Sequence, residues 1–378
     1  MSGVGAHPPR VLHFVTGGFS GATQVALDLV RAHRASGRFE PLLVLRRKRQ
    51  TDPARIAALR AEGLAVRVVP GWSHGATICQ LVRQCRRFRP DVLVAHGFSE
   101  HLWGRYAGLL AHVPILVQVE HNSRERYSWW RNAQMLWLAR RTQAIVGVSE
   151  GVRGALLARG VDPAKTLAIP NGVRLGPYAA AADHPFEARK PDIVMVARFA
   201  RQKDHACLLH ALALLRGRGL TPQLLLAGGG KASALRQAER LCDELKLQDQ
   251  VQFLGRCDDV PALLMAHQVC VLSTHYEGMP LSLIEGMAAA CAVVGSAVPG
   301  VREVIQHERN GLLVPEADPS AMADALERLL TQPQHAAALA AQARADALEH
   351  YGLPRMLDRY EALFLRLLEP TTHAEARA

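Results

Sequence analysis

The sequence has no long apolar run: nothing in its 378 residues approaches the roughly 18 uninterrupted apolar residues of a membrane span. It also lacks, at its start, the apolar block after a basic segment that marks a secretory leader. A soluble, cytoplasmic protein is expected. Cysteine is scarce. The seven are odd in number, form no C-x-x-C pair and lie mostly in apolar segments (Cys207, Cys270, Cys291), which argues against a disulfide framework or a zinc site and for buried thiols. The G-x-G-x-x-G spacing is missing, as is an acidic residue at the end of the second β-rich segment, so a nicotinamide dehydrogenase is disfavoured. No D-x-D occurs, so no carboxylate pair is indicated for holding a divalent metal on a diphosphate. Neither a metal nor a cofactor is expected.

What is present suggests two domains, since single cores stop growing at roughly 250 to 300 residues. The formal charge of +11 calls for an acidic partner: nucleic acid, anionic lipid or phosphorylated small molecules. Basic clusters such as Arg46, Arg47, Lys48 and Arg49, or Arg86, Arg87 and Arg89, carry no interleaved aromatics. They read as solvated faces rather than a nucleic-acid surface.

From Val11 onward, short β-rich runs alternate with helical stretches: VLHFV, PLLVL, VRVV, DVLVA, ILVQV, then Ala144–Val148 and Thr166–Ile169. The pattern breaks between Gly172 and Pro191 and resumes with strands at 193–196, 223–227, 251–254, 269–272 and 292–294. Such alternation implies parallel sheets covered by helices on both faces. The expected organisation is an α/β domain over 1–172, a linker at 173–190, and a second doubly wound domain over 191–354. A final helix in 355–378 is expected to pack back on the first domain. Ligands of such sheets bind beyond the carboxyl ends of the strands, so two domains of this kind are expected to face each other across a cleft.

The richest segment runs from Glu277 to Glu285, Glu-Gly-Met-Pro-Leu-Ser-Leu-Ile-Glu, and opens a helix after the strand Val269–Leu272. A helix N-terminus favours a phosphate or polar sugar oxygen, and each carboxylate accepts hydrogen bonds from ribose or hexose hydroxyls. Eight helical steps span about 12 Å, against the roughly 5 to 9.5 Å between the paired carboxylates of a glycoside hydrolase. The spacing favours two grips on one long ligand. Arg198 ends another strand, and Lys203 stands near the start of the next helix, where a cation opposes the helix dipole. The two are placed to flank a diphosphate and neutralise the charge that grows as a nucleotide leaves. Thr16-Gly17-Gly18-Phe19-Ser20-Gly21 after the first strand allows close backbone approach to phosphate or sugar, though such a loop is equally a tight turn. His96 and His121 both sit at strand ends, where a cleft is expected, and either is placed to face the donor, although a lone histidine is as readily structural.

With these pieces assembled, the chain resembles the retaining glycosyltransferases of the GT-B fold, and among them the large family 4, over almost its whole length. The resemblance rests chiefly on the Glu277/Glu285 pair and on Arg198 with Lys203. Asn171-Gly172-Val173, Phe253-Leu254-Gly255, Asn310-Gly311-Leu312 and the glycines Gly17, Gly18 and Gly21 add to it. It implies two Rossmann-like domains and a nucleotide sugar donor. By the same resemblance Glu285 binds the ribose, Glu277 the hydroxyls of the transferred sugar, and Arg198 and Lys203 the diphosphate. Backbone near Arg256 would meet the base, and the stretch Gly278, Met279, Pro280 and Leu281 the sugar and phosphate. His121 looks like the family's active-site histidine. Family members retain the anomeric configuration, with the leaving phosphate helping to deprotonate the acceptor. The stretch Ala297-Val298-Pro299-Gly300 departs from the family's frequent glycine pair.

For the acceptor, the segment 124–141 concentrates three of the five tryptophans with five arginines, which fits an anionic membrane surface as well as an ordinary amphipathic helix. The expectation is hexosyl transfer from a UDP or GDP sugar to a cell-envelope or exported glycan, lipid-linked acceptors included, by a protein peripheral to the inner face of the membrane. A nucleotide-sugar epimerase and a basic nucleic-acid-binding protein remain as alternatives, although no motif asks for nucleic acid.

Overall fold

The computed structural model describes residues 7–49, 51–124 and 127–369. They form two compact units, the first of Met1–Pro170 with Met356–Ala378, the second of Asn171–Arg355.

The first unit runs β1 (Arg10–Thr16), α1 (Gly21–Ser36), β2 (Glu40–Arg46), α2 (Pro53–Ala61), β3 (Val66–Val69), α3 (His74–Phe88), β4 (Val92–His96) and α4 (Phe98–Leu110). It continues with β5 (Ile115–Glu120), α5 (Trp129–Ala139), β6 (Ala144–Gly147), α6 (Glu150–Ala158) and β7 (Thr166–Ala168). The strands make one parallel sheet in the order β3-β2-β1-β4-β5-β6-β7. Every residue of β4 and β5 is buried, as expected of parallel strands covered on both faces. Alternation along the strands sorts the core into two layers. Leu12, Phe14, Leu42, Val44, Leu93 and Ala95 face one way, toward Leu81 and Ala107. Val15, Leu43 and Leu45 face the other, toward Ala26, Val30, Ile56 and Leu59.

The second unit runs β8 (Lys190–Val196), α7 (His205–Gly217), β9 (Leu224–Ala227), α8 (Ala232–Glu244), β10 (Val251–Gly255), α9 (Val260–Met265) and β11 (His267–Leu272). It continues with α10 (Leu281–Ala288), β12 (Ala292–Ser296), α11 (Pro299–Arg302), β13 (Leu312–Val314), α12 (Pro319–Thr331) and α13 (Pro333–His350). Its parallel sheet has the order β10-β9-β8-β11-β12-β13. The edge strand β13 is absent from the strands expected above, because three residues after an Asn-Gly turn carry too little pattern to register.

The last helix, α14 (Leu353–Leu368), buries Met356, Tyr360, Leu363 and Phe364, the i, i+4, i+7, i+8 face of an amphipathic helix. Phe364 packs edge-on against His13, His33 and Phe39, with ring centroids 6.4, 5.7 and 6.1 Å away. Glu361 pairs with Arg38 at 2.7 Å.

Residues 173–190, expected to be a linker, are ordered parts of the second unit. Two 3-10 turns, Gly176–Ala182 and Phe186–Ala188, bury Tyr178, Ala181 and Phe186. The reason is Arg189, itself buried, whose guanidinium donates to the carbonyls of Ala181, His184, Ala289 and Ala290. An alanine-rich turn held by one arginine shows no apolar period.

Candidate functional site

In each sheet the chain reverses its direction of growth beside the first strand, between β1 and β4 in the first unit and between β8 and β11 in the second. Loops leaving the carboxyl ends of those strands are where doubly wound sheets hold ligands.

In the second unit the loops after β8 and β11 are joined by a bridge between Lys203 and Thr274 and by His275 N–H donating to Gln202 O at 2.9 Å. Glu277 is buried there. Its Oε1 accepts from the Thr274 hydroxyl at 2.9 Å, the Gln202 amide at 3.2 Å and the Lys203 ammonium. Lys203 at the head of α7 therefore has protein anions beside it: Glu277 offsets its charge, and Asp204 caps the helix by accepting from Cys207 N–H. The cation that opposes the dipole of α7 is thus offset within the protein.

Downstream of Glu277, the residues Gly278, Met279 and Pro280 are buried, and Asn171 N–H donates to Met279 Sδ at 3.0 Å. Gly300 passes so close that a Cβ on it would lie 2.5 Å from Gly278 O. Pro280 is the N-cap residue of α10, whose first helical residue is Leu281, and no side chain caps the helix. Glu285 lies one turn further. Burial pushes its carboxyl up to about 7. The phenol of buried Tyr178 is raised by its own burial and then by Glu285, so the supposed linker supplies a neighbour of this carboxylate. Arg198, after β8, is exposed and makes no side-chain hydrogen bond or ion pair among the described residues. Arg256, after β10, is exposed too.

The sequence reading missed Gly228-Gly229-Gly230 at the end of β9. A Cβ on Gly228 would meet Ala197 O at 2.0 Å and one on Gly230 would meet Phe199 O at 2.4 Å. The triplet lets the β9 loop lie directly on the Arg198 loop; three glycines after an apolar run were the available signal. A groove of about 710 Å³ opens beside these loops, bounded in part by Arg201, Lys203, Asp204, Lys231, Arg240 and His275. It takes in Lys203 but neither Glu277 nor Glu285.

In the first unit, Gly17 N–H donates to Arg46 O at 2.8 Å, and a Cβ on Gly17 would sit 2.8 Å from both that oxygen and Thr51 Oγ1. Gly18 N–H donates to Thr16 Oγ1 at 3.3 Å, and Thr23 Oγ1 donates back to Thr16 O at 2.9 Å. Arg46 is buried, contrary to its reading as part of a solvated face. Glu100, also buried, lies 3.5 Å from its guanidinium and 2.7 Å from Lys48 Nζ.

The histidines at the strand ends come together. His121 Nε2 is 3.4 Å from His96 Nδ1, and His96 Nε2 is 3.2 Å from His13 Nδ1. Burial pushes His121 down to about 4, and burial followed by neighbouring imidazoles holds His13 and His96 well below their ordinary value. All three are neutral near pH 7. Behind them, His121 N–H donates to Glu120 Oε1 at 3.1 Å, Tyr127 OH donates to Glu120 Oε2 at 3.2 Å, and His101 Nε2 lies 2.6 Å from that hydroxyl. Arg105, fully buried, lies 2.7 Å from His101 Nδ1 and donates to Thr142 Oγ1. Sequence reasoning missed His13, whose signal was a polar ring inside the apolar strand VLHFV.

Along α5, Met135, Leu138 and Ala139 are buried, while Trp129, Trp130 and Trp137 are 79%, 57% and 44% exposed. The Arg141 guanidinium lies 3.8 Å from the Trp137 ring centroid. Glu125 and Arg126 of the 124–141 segment lie outside the described residues. Among the described residues no helix is long and apolar enough to cross a membrane, and no group of three or more His, Cys, Asp or Glu could hold a metal ion.

Residues 19–176 match the family model of glycosyltransferase family 4, and residues 179–346 match that of the glycosyl transferases group 1. The chain is 30% identical to the putative glycosyltransferase EpsD of Bacillus subtilis over 179 residues, 46% of either chain, so that match spans about half of the relative. It is 22% identical over 308 residues to an Escherichia coli UDP-Gal:alpha-D-GlcNAc-diphosphoundecaprenol alpha-1,3-galactosyltransferase, covering 77% of this chain and 79% of that one. The fold superposes on Anabaena HepE, solved in complex with UDP and glucose, with a TM-score of 0.82 at 19% identity, covering 95% of this chain and all of that one. The two parallel Rossmann-like sheets are those of the GT-B architecture.

Proposed function

We propose that this chain, which belongs to the glycosyltransferases built of a family 4 and a group 1 domain, moves a hexose from a UDP or GDP sugar to a hydroxyl of a cell-envelope or exported glycan. Transfer proceeds with retention and without a metal ion. The observation that carries the reading is the cluster of Lys203, Glu277, Thr274 and Gln202 at the point of strand reversal, ahead of an uncapped helix N-terminus.

In this reading Lys203 and the unpartnered Arg198 hold the diphosphate, helped by free N–H groups at the start of α10. Glu285 takes the ribose hydroxyls, Glu277 the hydroxyls of the transferred sugar, and backbone around Arg256 the base. Gly278, Met279, Pro280 and Leu281 line the sugar and phosphate, Gly17 and Gly18 allow close backbone approach, and His121 serves the sugar. As the bond from the anomeric carbon to the phosphate oxygen breaks, the departing phosphate takes the proton of the attacking hydroxyl on the same face. The protein supplies cations where charge grows. The lipid-linked acceptor named for the E. coli relative and the UDP named for HepE support a UDP donor and a lipid-linked acceptor, and in this reading the protein works peripherally at the inner face of the membrane. The exposed Trp129, Trp130 and Trp137 beside Arg141 suit anionic lipid headgroups.

The test is thermal stabilisation by UDP, GDP and their sugars in the presence of EDTA. Wild type is expected to gain with one nucleotide family. Arg198→Ala, at an exposed position where stability changes stay within about 0.5 kcal/mol, is expected to lose that gain while melting at the wild-type temperature without ligand. A folded wild type that gains with no nucleotide rejects the reading.

A further inference from the structure

The imidazoles of His13, His96 and His121 make a single file. They come from the middle of β1, the last residue of β4 and the residue after β5, three adjacent strands of one sheet. Each junction joins a ring nitrogen of one residue to the opposite nitrogen of the next, at 3.2 and 3.4 Å. The rings are roughly parallel, with centroids 5.5 and 5.7 Å apart.

A neutral imidazole carries one proton, and each junction needs one N–H facing one lone pair. Three neutral rings with two junctions then allow only two arrangements. In one, all three carry the proton on Nδ1; in the other, all three carry it on Nε2. The choice fixes what His121 offers at its remaining nitrogen, Nδ1, which has no partner among the described residues: a donor in the first arrangement, an acceptor in the second. The deciding atom is at the far end. His13 Nε2 is buried without a hydrogen-bond partner, and the rings of His33 and Phe364 pack on His13. That nitrogen is unpaired in both arrangements, a buried donor in the second and a buried acceptor in the first; orphaned buried N–H groups are rarer than under-satisfied acceptors on the backbone, and the same order for the ring favours the first.

We infer that His13 and His96 are positioning residues for His121: the file holds its ring in place and keeps it as the Nδ1–H tautomer, so that it donates a hydrogen bond to an oxygen of the sugar rather than removing a proton. The inference rests on the role given to His121 above. It deepens that role by making His121 a donor set from within the core.

Nitrogen-15 NMR of histidine-labelled full-length protein near pH 7 tests it. In wild type the three rings are expected to share the Nδ1–H tautomer. In His96→Leu, His121 is expected to fall to a mixture of tautomers. In His13→Gln, whose side-chain amide can accept from or donate to His96 Nε2 and so removes the bias at the end of the file, His96 and His121 are expected to lose part of their Nδ1–H preference yet still match each other. Mismatched tautomers in wild type, an Nε2–H His121, or His121 signals unchanged in both variants would overturn the inference. Thermal stabilisation by UDP or GDP, measured on the same samples, separates the two readings. Its absence from wild type counts against the proposed function, while its presence alongside any of those NMR outcomes counts against the imidazole file alone.

Discussion

The first unit places neutral imidazoles where its strand order reverses, and the second places a lysine and a glutamate at the corresponding point. Both bury ionisable groups on the same kind of scaffold, by opposite means. His13, His96 and His121 survive burial by staying uncharged, because desolvation penalises the protonated ring. Glu277 is instead surrounded by a hydroxyl, an amide and an ammonium that offset its desolvation. Glu285 has neither remedy in full, and its carboxyl rises to about 7. One sheet edge thus offers neutral hydrogen-bonding groups and the other offers charge.

The largest expected effect that could break this comparison is acid sensitivity concentrated in one unit. His13, His33, His96, His101 and His121, all in the first unit, have lowered affinities for protons, with burial the leading cause in each; in the second unit His205 is the counterpart. Below about pH 6.5 the unfolded chain binds protons that the folded rings refuse, so their contribution is full above that pH and is lost as pH falls toward 4. Each ring is expected to cost about 2 kcal/mol at pH 5. Hydrogen exchange at pH 7 and pH 5, corrected for intrinsic rates, should show protection lost first in the first unit. Equal loss in both units would break the contrast.

Next in size is Phe364→Ala, which opens the aromatic packing over His13 and His33. A loss of about 3–5 kcal/mol is expected, read as weakened exchange protection in the first unit with the second unchanged. The smallest effect sharpens the other side. Glu285 holds its proton up to about pH 7 when folded but releases it near pH 4.5 when unfolded. Its contribution is therefore present below about 4.5 and is lost as pH rises through 7. Glu285→Gln is expected to add about 3 kcal/mol at pH 8 and about 1 kcal/mol at pH 5, seen as a rise in Tm that is larger at the higher pH.

The sheets were legible because buried parallel strands are short apolar runs between helical stretches, as in VLHFV and DVLVA. Tyr178 was not, since its burial depends on Arg189 reaching carbonyls about a hundred residues away as well as near ones. For the site, single residues could be read from their places at strand ends, but their meeting could not. Lys203 and Glu277 are 74 residues apart and touch only because β8 and β11 are neighbours. His13 lay hidden for a different reason: one polar ring in an apolar strand gains its meaning from the partners that β4 and β5 bring alongside.

The helix α14 has a consequence for how the chain is made. The second unit is one uninterrupted stretch, Asn171–Arg355, whereas the first closes only with residues from Met356 onward. Domains usually fold as they leave the ribosome, the N-terminal one first. Here the earlier-synthesised sheet must wait, with His33 and Phe39 uncovered, until Phe364 emerges, by which time the whole of the second unit has been translated. The order of completion is therefore the reverse of the order of synthesis.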